Sequence, residues 1–176
     1  MLFPTVLWGD TQATFLAAGE VLPEAPLTAA LVFAMQHEDF ILADIEGRGW
    51  CIPGGHLEVE ESGEQAARRE VREEIGATLG PLHLLGHYVL TSPASQAEAN
   101  QIETSKVNGG AGKCRLVVAY LAYVLELDAL PPGSESRGIL RCPYADLQTH
   151  YYTWDALLAA MFAYAHFKSE ELNIRG

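Results

Sequence analysis

Between Glu58 and Glu74 the chain places seven glutamates in seventeen residues, and Glu70, Glu73 and Glu74 fall within one helical turn. On a helix, positions i, i+3 and i+4 share a face about 5–6 Å apart, and like charges there repel by roughly 0.2–0.5 kcal/mol per pair. The cluster also precedes Gly76, where a helix would end and its dipole already presents negative potential. Nothing in local stability favours such a group, whereas a divalent cation gripped by the carboxylates would.

The elements that must position these side chains follow from spacing. Ser62 with Gln65 three residues later is a capping box, which opens a helix running to Ile75 and closing at Gly76. Ala67, Val71 and Ile75 make its apolar stripe and Arg68 and Arg72 its far side, so the three glutamates are expected on the shoulder between core and solvent. Leu27 to Met35 and Phe40 to Ile45 read as paired strands. Trp50 to Ile52 reads as a short strand stopped by Pro53-Gly54-Gly55. Leu79 to Leu90 and Arg115 to Leu127 read as long core strands, Gly138 to Arg141 as a short one, and Thr153 to Phe167 as a closing amphipathic helix. Gly9-Asp10 suits a two-residue hairpin turn within an N-terminal extension, residues 1–26. Residues 91–113 are polar and rich in glycine, as in a long flexible loop or lid. Strands on both sides of the acidic helix, with a second helix at the end, predict an α/β sandwich whose mixed sheet is covered on both faces.

At 176 residues the chain has the length of a single domain. Its 49% hydrophobic and 19% charged residues are those of a globular protein. No apolar run approaches the roughly 20 residues of a membrane span, so no membrane partner is expected. Arg48 is the first basic residue, which leaves no cationic leader, so a cytoplasmic address is expected. Cys51, Cys114 and Cys142 fit neither a disulfide framework nor a paired zinc pattern, and are expected reduced and buried. The net charge of −12 repels nucleic-acid polymers, so a phosphate-bearing partner should be a small nucleotide accompanied by metal.

From Gly55 the spacing runs five residues to Glu61, seven more to Arg69-Glu70-Val71, then one to Glu73-Glu74 and one to Gly76-Ala77. This stretch, Gly55 to Ala77, resembles the signature of the Nudix hydrolases, with Ala77 smaller than the aliphatic residue usual there. The resemblance implies a three-layer α/β/α fold and metal-dependent hydrolysis of a nucleoside diphosphate linked to another moiety, using Mg²⁺ or Mn²⁺. It implies metal ligation by Glu70, Glu73, Glu74 and the Gly55 backbone, with Glu61 and Arg69 holding those ligands in place. The general base is open between Glu70 and Glu135, with Glu98 and Glu103 behind them.

Pro93, sixteen residues beyond Ala77, resembles the branch acting on ADP-ribose; a nucleotide sugar is the companion candidate. Trp8, Trp50, Tyr88, Tyr120 and Tyr123 are candidates for stacking on a base. Arg115 and Arg137, with Lys113 and Arg141, are candidates for binding phosphate or ribose. The N-terminal hairpin could serve a homodimer. Two other readings stand beside the first: a nucleoside triphosphate pyrophosphohydrolase that sanitises the nucleotide pool, and a nucleotide-sensing Nudix domain without turnover.

Overall fold

A computed structural model describes residues 2–93 and 113–173. Its strands are β1 (Val6–Trp8), β2 (Thr11–Ala17), β3 (Leu27–Gln36), β4 (Asp39–Ile45), β5 (Gly49–Cys51), β6 (Gly54–His56), β7 (Ala77–Leu79), β8 (His83–Ser92), β9 (Lys113–Leu127) and β10 (Ser136–Pro143). Helix α1 (Gly63–Ile75) lies between β6 and β7, and α2 (Leu147–His150) and α3 (Ala156–Glu171) follow β10. The main sheet runs β1-β2-β8-β9-β3-β4-β10, with β5 on β4 and β6 on β3. β3 and β9 pair in parallel while the other pairs among the described residues are antiparallel, so the sheet is mixed.

The central strand β3 changes partner along its length. Its first half pairs with β6, Ala29 opposite His56 and Leu31 opposite Gly54, and its last two residues pair with β4 at Met35–Phe40 and Gln36–Asp39. The expected β3–β4 pairing therefore holds only next to the turn. β4 then leaves β3 to pair with β5 and β10, and the sheet forks. The strand expected at Trp50 to Ile52 does end before Pro53-Gly54-Gly55, and Gly54-Gly55 then opens a strand of its own. Gly54 sits at φ 152°, where an added Cβ would stand 2.8 Å from the Leu31 Cα and overlap the Ala30 carbonyl oxygen, so glycine alone allows this approach.

The expected strand from Leu79 to Leu90 is two strands. Gly80-Pro81 breaks it: proline lacks the N–H a ladder needs, and β7 pairs with the end of β9 while β8 runs along its first two thirds.

Two helices cover opposite faces. α1 has both halves of its capping box, Ser62 accepting from the Gln65 N–H and Gln65 from the Ser62 N–H, and it ends at Gly76 with φ 66°. Ala66, Ala67, Val71 and Ile75 of α1 are buried, and Gly63 rests near Val118 and Tyr120 of β9. On the other face Phe162 of α3 meets Phe33 and Phe40 edge-on, both at 5.1 Å between ring centroids. α3 starts three residues later than expected because Asp155 caps it, its Oδ1 accepting from the Leu158 N–H at 2.8 Å. Cys51 and Cys142 are buried free thiols; Cys114 is only half-buried, because it lies near the start of β9. No helix among the described residues is long and apolar enough to cross a membrane.

Candidate active site

The last two turns of α1, strand β6 and the segment Pro131 to Glu135 enclose a cavity of about 790 Å³ with a mainly polar lining. Glu70, Glu73 and Glu74 line it together with Arg48, Gly54, Gly55, Arg69 and Glu135.

Glu74 departs from its expected place on the shoulder of the helix. It is buried, 7% exposed, because β6 closes over this part of α1 and the Gly54 N–H donates to Glu74 Oε2 at 2.8 Å. Burial pushes its carboxyl up to about 7; the charges of Glu70 and Glu135 push the same way, and the Gly54 N–H and Arg48 oppose them. Glu70, one turn earlier, lies against Gly55. A Cβ at Gly55 would overlap its carboxylate, with Oε2 at 2.8 Å, so the missing side chain is what lets acid and backbone come together. Glu73 is the exposed member of the three.

Arg69 gathers the acids. Its Nε and Nη2 donate to the two oxygens of Glu61, both at 2.9 Å; Nη1 donates to Glu70 at 2.8 Å and Glu73 at 3.2 Å; and Nη2 also donates to the His56 carbonyl at 2.9 Å. These bonds hold Glu61 below the usual carboxylate range, helped by the Glu58 N–H, and raise the Arg69 guanidinium. The fork of N–H groups is particular to arginine. Arg69→Lys should therefore cost about 1–2 kcal/mol of stability and roughly tenfold in turnover, measured by denaturant unfolding and steady-state rates.

The opposite wall is fixed through Ser134. Its hydroxyl donates to the Glu73 carbonyl at 2.7 Å and accepts from the Ser136 N–H at 3.1 Å, which ties the loop carrying Glu135 to the end of α1.

Arg115 and Arg137 lie elsewhere. Arg115 is exposed on β9 opposite Leu90, and Arg137 on β10 donates to Asp44 Oδ1 at 3.0 Å, so strand register turns both away from the cavity. Arg48 lines the cavity instead, together with Arg69; its only sequence signal is the turn Glu46-Gly47-Arg48-Gly49. Of the stacking candidates, Trp8 and Tyr88 line a second cavity that Arg48 also lines, whereas Trp50, Tyr120 and Tyr123 line neither. Glu98 and Glu103 lie outside the described residues.

Among the described residues, no three His, Cys, Asp or Glu side chains converge tightly enough to hold an ion alone. What the site offers is two neighbouring carboxylates, one of them buried, beside the half-buried backbone of Gly55. Such hard oxygen donors fit a cation that retains much of its water shell.

Comparison with known proteins agrees with this geometry. A family model described as NUDIX domain matches residues 24–161. The "Putative 8-oxo-dGTP diphosphatase YtkD" of Bacillus subtilis (strain 168) is 47% identical over 49 residues, which is 28% of this chain and 31% of that protein. The match thus spans about a third of the relative's length. The crystal structure of a mutant form of the Bacillus subtilis pyrophosphohydrolase BsRppH superposes with a TM-score of 0.64 at 19% identity, covering 93% of this chain and 92% of that one. A C. elegans Ap4A hydrolase gives 0.54 at 22% identity over 84% and 98%. At those identities the two structures speak for the fold: a Nudix-like α/β/α sandwich around a mixed sheet. With the family model covering more than half of its length, and Gly55, Arg69, Glu70, Glu73 and Glu74 of the signature lining one cavity, the chain belongs to the NUDIX domain family.

Proposed function

We propose that the protein hydrolyses a phosphoanhydride bond in a nucleoside diphosphate linked to another moiety, with ADP-ribose and nucleotide sugars as the first candidates and Mg²⁺ or Mn²⁺ as the cofactor. The observation that carries this reading is Glu74, a carboxylate buried beside Glu70 at the floor of a polar cavity, its one hydrogen bond among the described residues coming from backbone rather than from an arginine. Burial of such a charge is costly unless something positive shares it.

Glu70 and Glu74 would hold the cation, the Gly55 backbone would complete the protein's share, and exposed Glu73 would reach it through water or hold a second ion. When bound, divalent ions neutralise the phosphates and acidify a water. Arg69 keeps Glu70 and Glu73 in place by the bonds described above. Glu135, on the loop that the Ser134 clasp holds against α1, would receive the proton of the attacking water, a role it contests with Glu70. Arg48 supplies positive charge toward the substrate phosphates.

A second reading, a nucleoside triphosphate pyrophosphohydrolase, is supported by the match to the diphosphatase-named relative. The two differ in their products. Incubation of ADP-ribose, nucleotide sugars, dinucleoside polyphosphates and damaged nucleoside triphosphates with Mg²⁺ or Mn²⁺ should give two monophosphates from a linked diphosphate, and pyrophosphate if the second reading is correct. Absence of turnover on every compound would refute both and leave the sensing reading.

A further inference from the structure

Strand β10 carries an extra residue at the place where it joins the cavity wall. Ser136 stands opposite Ile45 of β4 and Ile139 opposite Ala43, so Arg137 and Gly138 share the single partner Asp44. A bulge of this kind bends its strand and, because side chains alternate with a period of two, swaps the face toward which the residues before it point. The residue just before this stretch of β10 is Glu135.

The bulge is held from two sides. Within β10 the hydroxyl of buried Ser136 donates across it to the Gly138 carbonyl at 2.9 Å. From β4, Asp44 Oδ1 accepts from Arg137 Nη2 at 3.0 Å. The two partners flank the site symmetrically: Asp44 lies two residues before Glu46, where the turn bearing Arg48 begins, and Arg137 lies two residues after Glu135. Beyond the pair those segments meet again, the Glu46 N–H donating to the Glu135 carbonyl at 3.3 Å. The ion pair thus closes the base from which two walls of the glutamate cavity rise, one bearing Arg48 and the other Glu135. Stability does not account for it, because a pair whose arginine is 57% and aspartate 23% exposed adds little to a fold.

We propose that Asp44 and Arg137 are positioning residues, whose pair locks the bulge of β10 and so sets Glu135 and Arg48 against each other across the cavity. The inference rests on reading that cavity as the catalytic site, and one arm of its test needs no turnover. In Asp44→Ala and Arg137→Ala, kcat on the compound of the panel above that the native protein cleaves should fall about tenfold. The double alanine variant should lose no more than either single one, because each change breaks the same contact. Arg137→Lys should recover most of the loss: Asp44 takes a single N–H, which an ammonium can supply, unlike the fork that Arg69 presents to its acids. With no substrate present, amide exchange followed by NMR should show the Glu46 and Ser136 N–H groups exchanging about tenfold faster in the alanine variants than in the native protein, with those of α1 unchanged.

Alanine variants that keep native kcat or native exchange, losses that add in the double variant, or Arg137→Lys as slow as Arg137→Ala would overturn the proposal. Faster exchange of those two amides in a protein that hydrolyses nothing would refute the proposed function and leave the pair's hold on the loop standing. Hydrolysis indifferent to both alanine changes would do the reverse.

Discussion

Glu74→Gln should lower turnover on the order of 10³-fold while leaving the fold intact. Glutamine keeps the shape and can still accept the Gly54 N–H, so β6 stays seated on α1. What disappears is the negative charge. The same change should stabilise the metal-free protein at neutral pH, and the sign follows from the carboxyl being pushed up to about 7 by burial. Such a group favours its protonated form in the folded state, so the native protein loses stability relative to Glu74→Gln as pH rises from the unfolded value toward 7, with the difference constant above that. Its size should be on the order of 1–3 kcal/mol. Urea unfolding in chelator across pH 4 to 8 measures this, and saturating Mg²⁺ should narrow the gap by binding the native protein only. Full activity in the variant would remove Glu74 from the proposed metal ligands.

Neighbouring glycines should fail in different ways. At Gly54 an alanine methyl meets backbone of β3 and must also adopt φ near 152°; neither side can yield without moving the strand. Gly54→Ala should therefore cost about 3 kcal/mol or more and abolish activity with the fold. At Gly55 the obstacle is the far end of the Glu70 side chain, which can rotate away. Gly55→Ala should keep most of its stability and lose activity on the order of 10²-fold, because the displaced carboxylate no longer stands beside Glu74. Thermal unfolding and steady-state kinetics on both variants check the contrast; full activity in Gly55→Ala would show that the Glu70–Gly55 contact carries no positioning role, and similar stability losses in the two that Glu70 cannot rotate away.

What could be read in the sequence was local. The limits of α1 depended on Ser62, Gln65 and Gly76, each acting within a turn of its own backbone, and all three sit at the ends of the helix in the structure. The strands Leu27 to Met35 and Arg115 to Leu127 were legible for a similar reason, since long runs of β-formers can go nowhere but into a core. Where the outcome depends on which strand lies next to which, residues gave less away. Gly54-Gly55 has turn composition and becomes a strand only because β3 stands beside it. Glu74 looks like a shoulder residue on an isolated helix and is buried only once that strand is in place. Arg137 carries the right charge for a phosphate but spends it on Asp44, a partner 93 residues away. Arg48 was hidden in a short turn whose direction no local rule states.

A 2.6 Å bond from the Trp8 indole to Asp155, on the wall of the second cavity, spans 147 residues. On the ribosome, at about 5–20 residues per second, the tryptophan emerges roughly 7–30 s before its partner is made. A nascent chain halted before α3 would carry every glutamate of the signature yet have an unfinished second chamber. The aromatic chamber is thus among the last parts of the fold to close during synthesis, and because α3 also covers one face of the sheet, early termination should yield fragments that carry the glutamates but leave that face open.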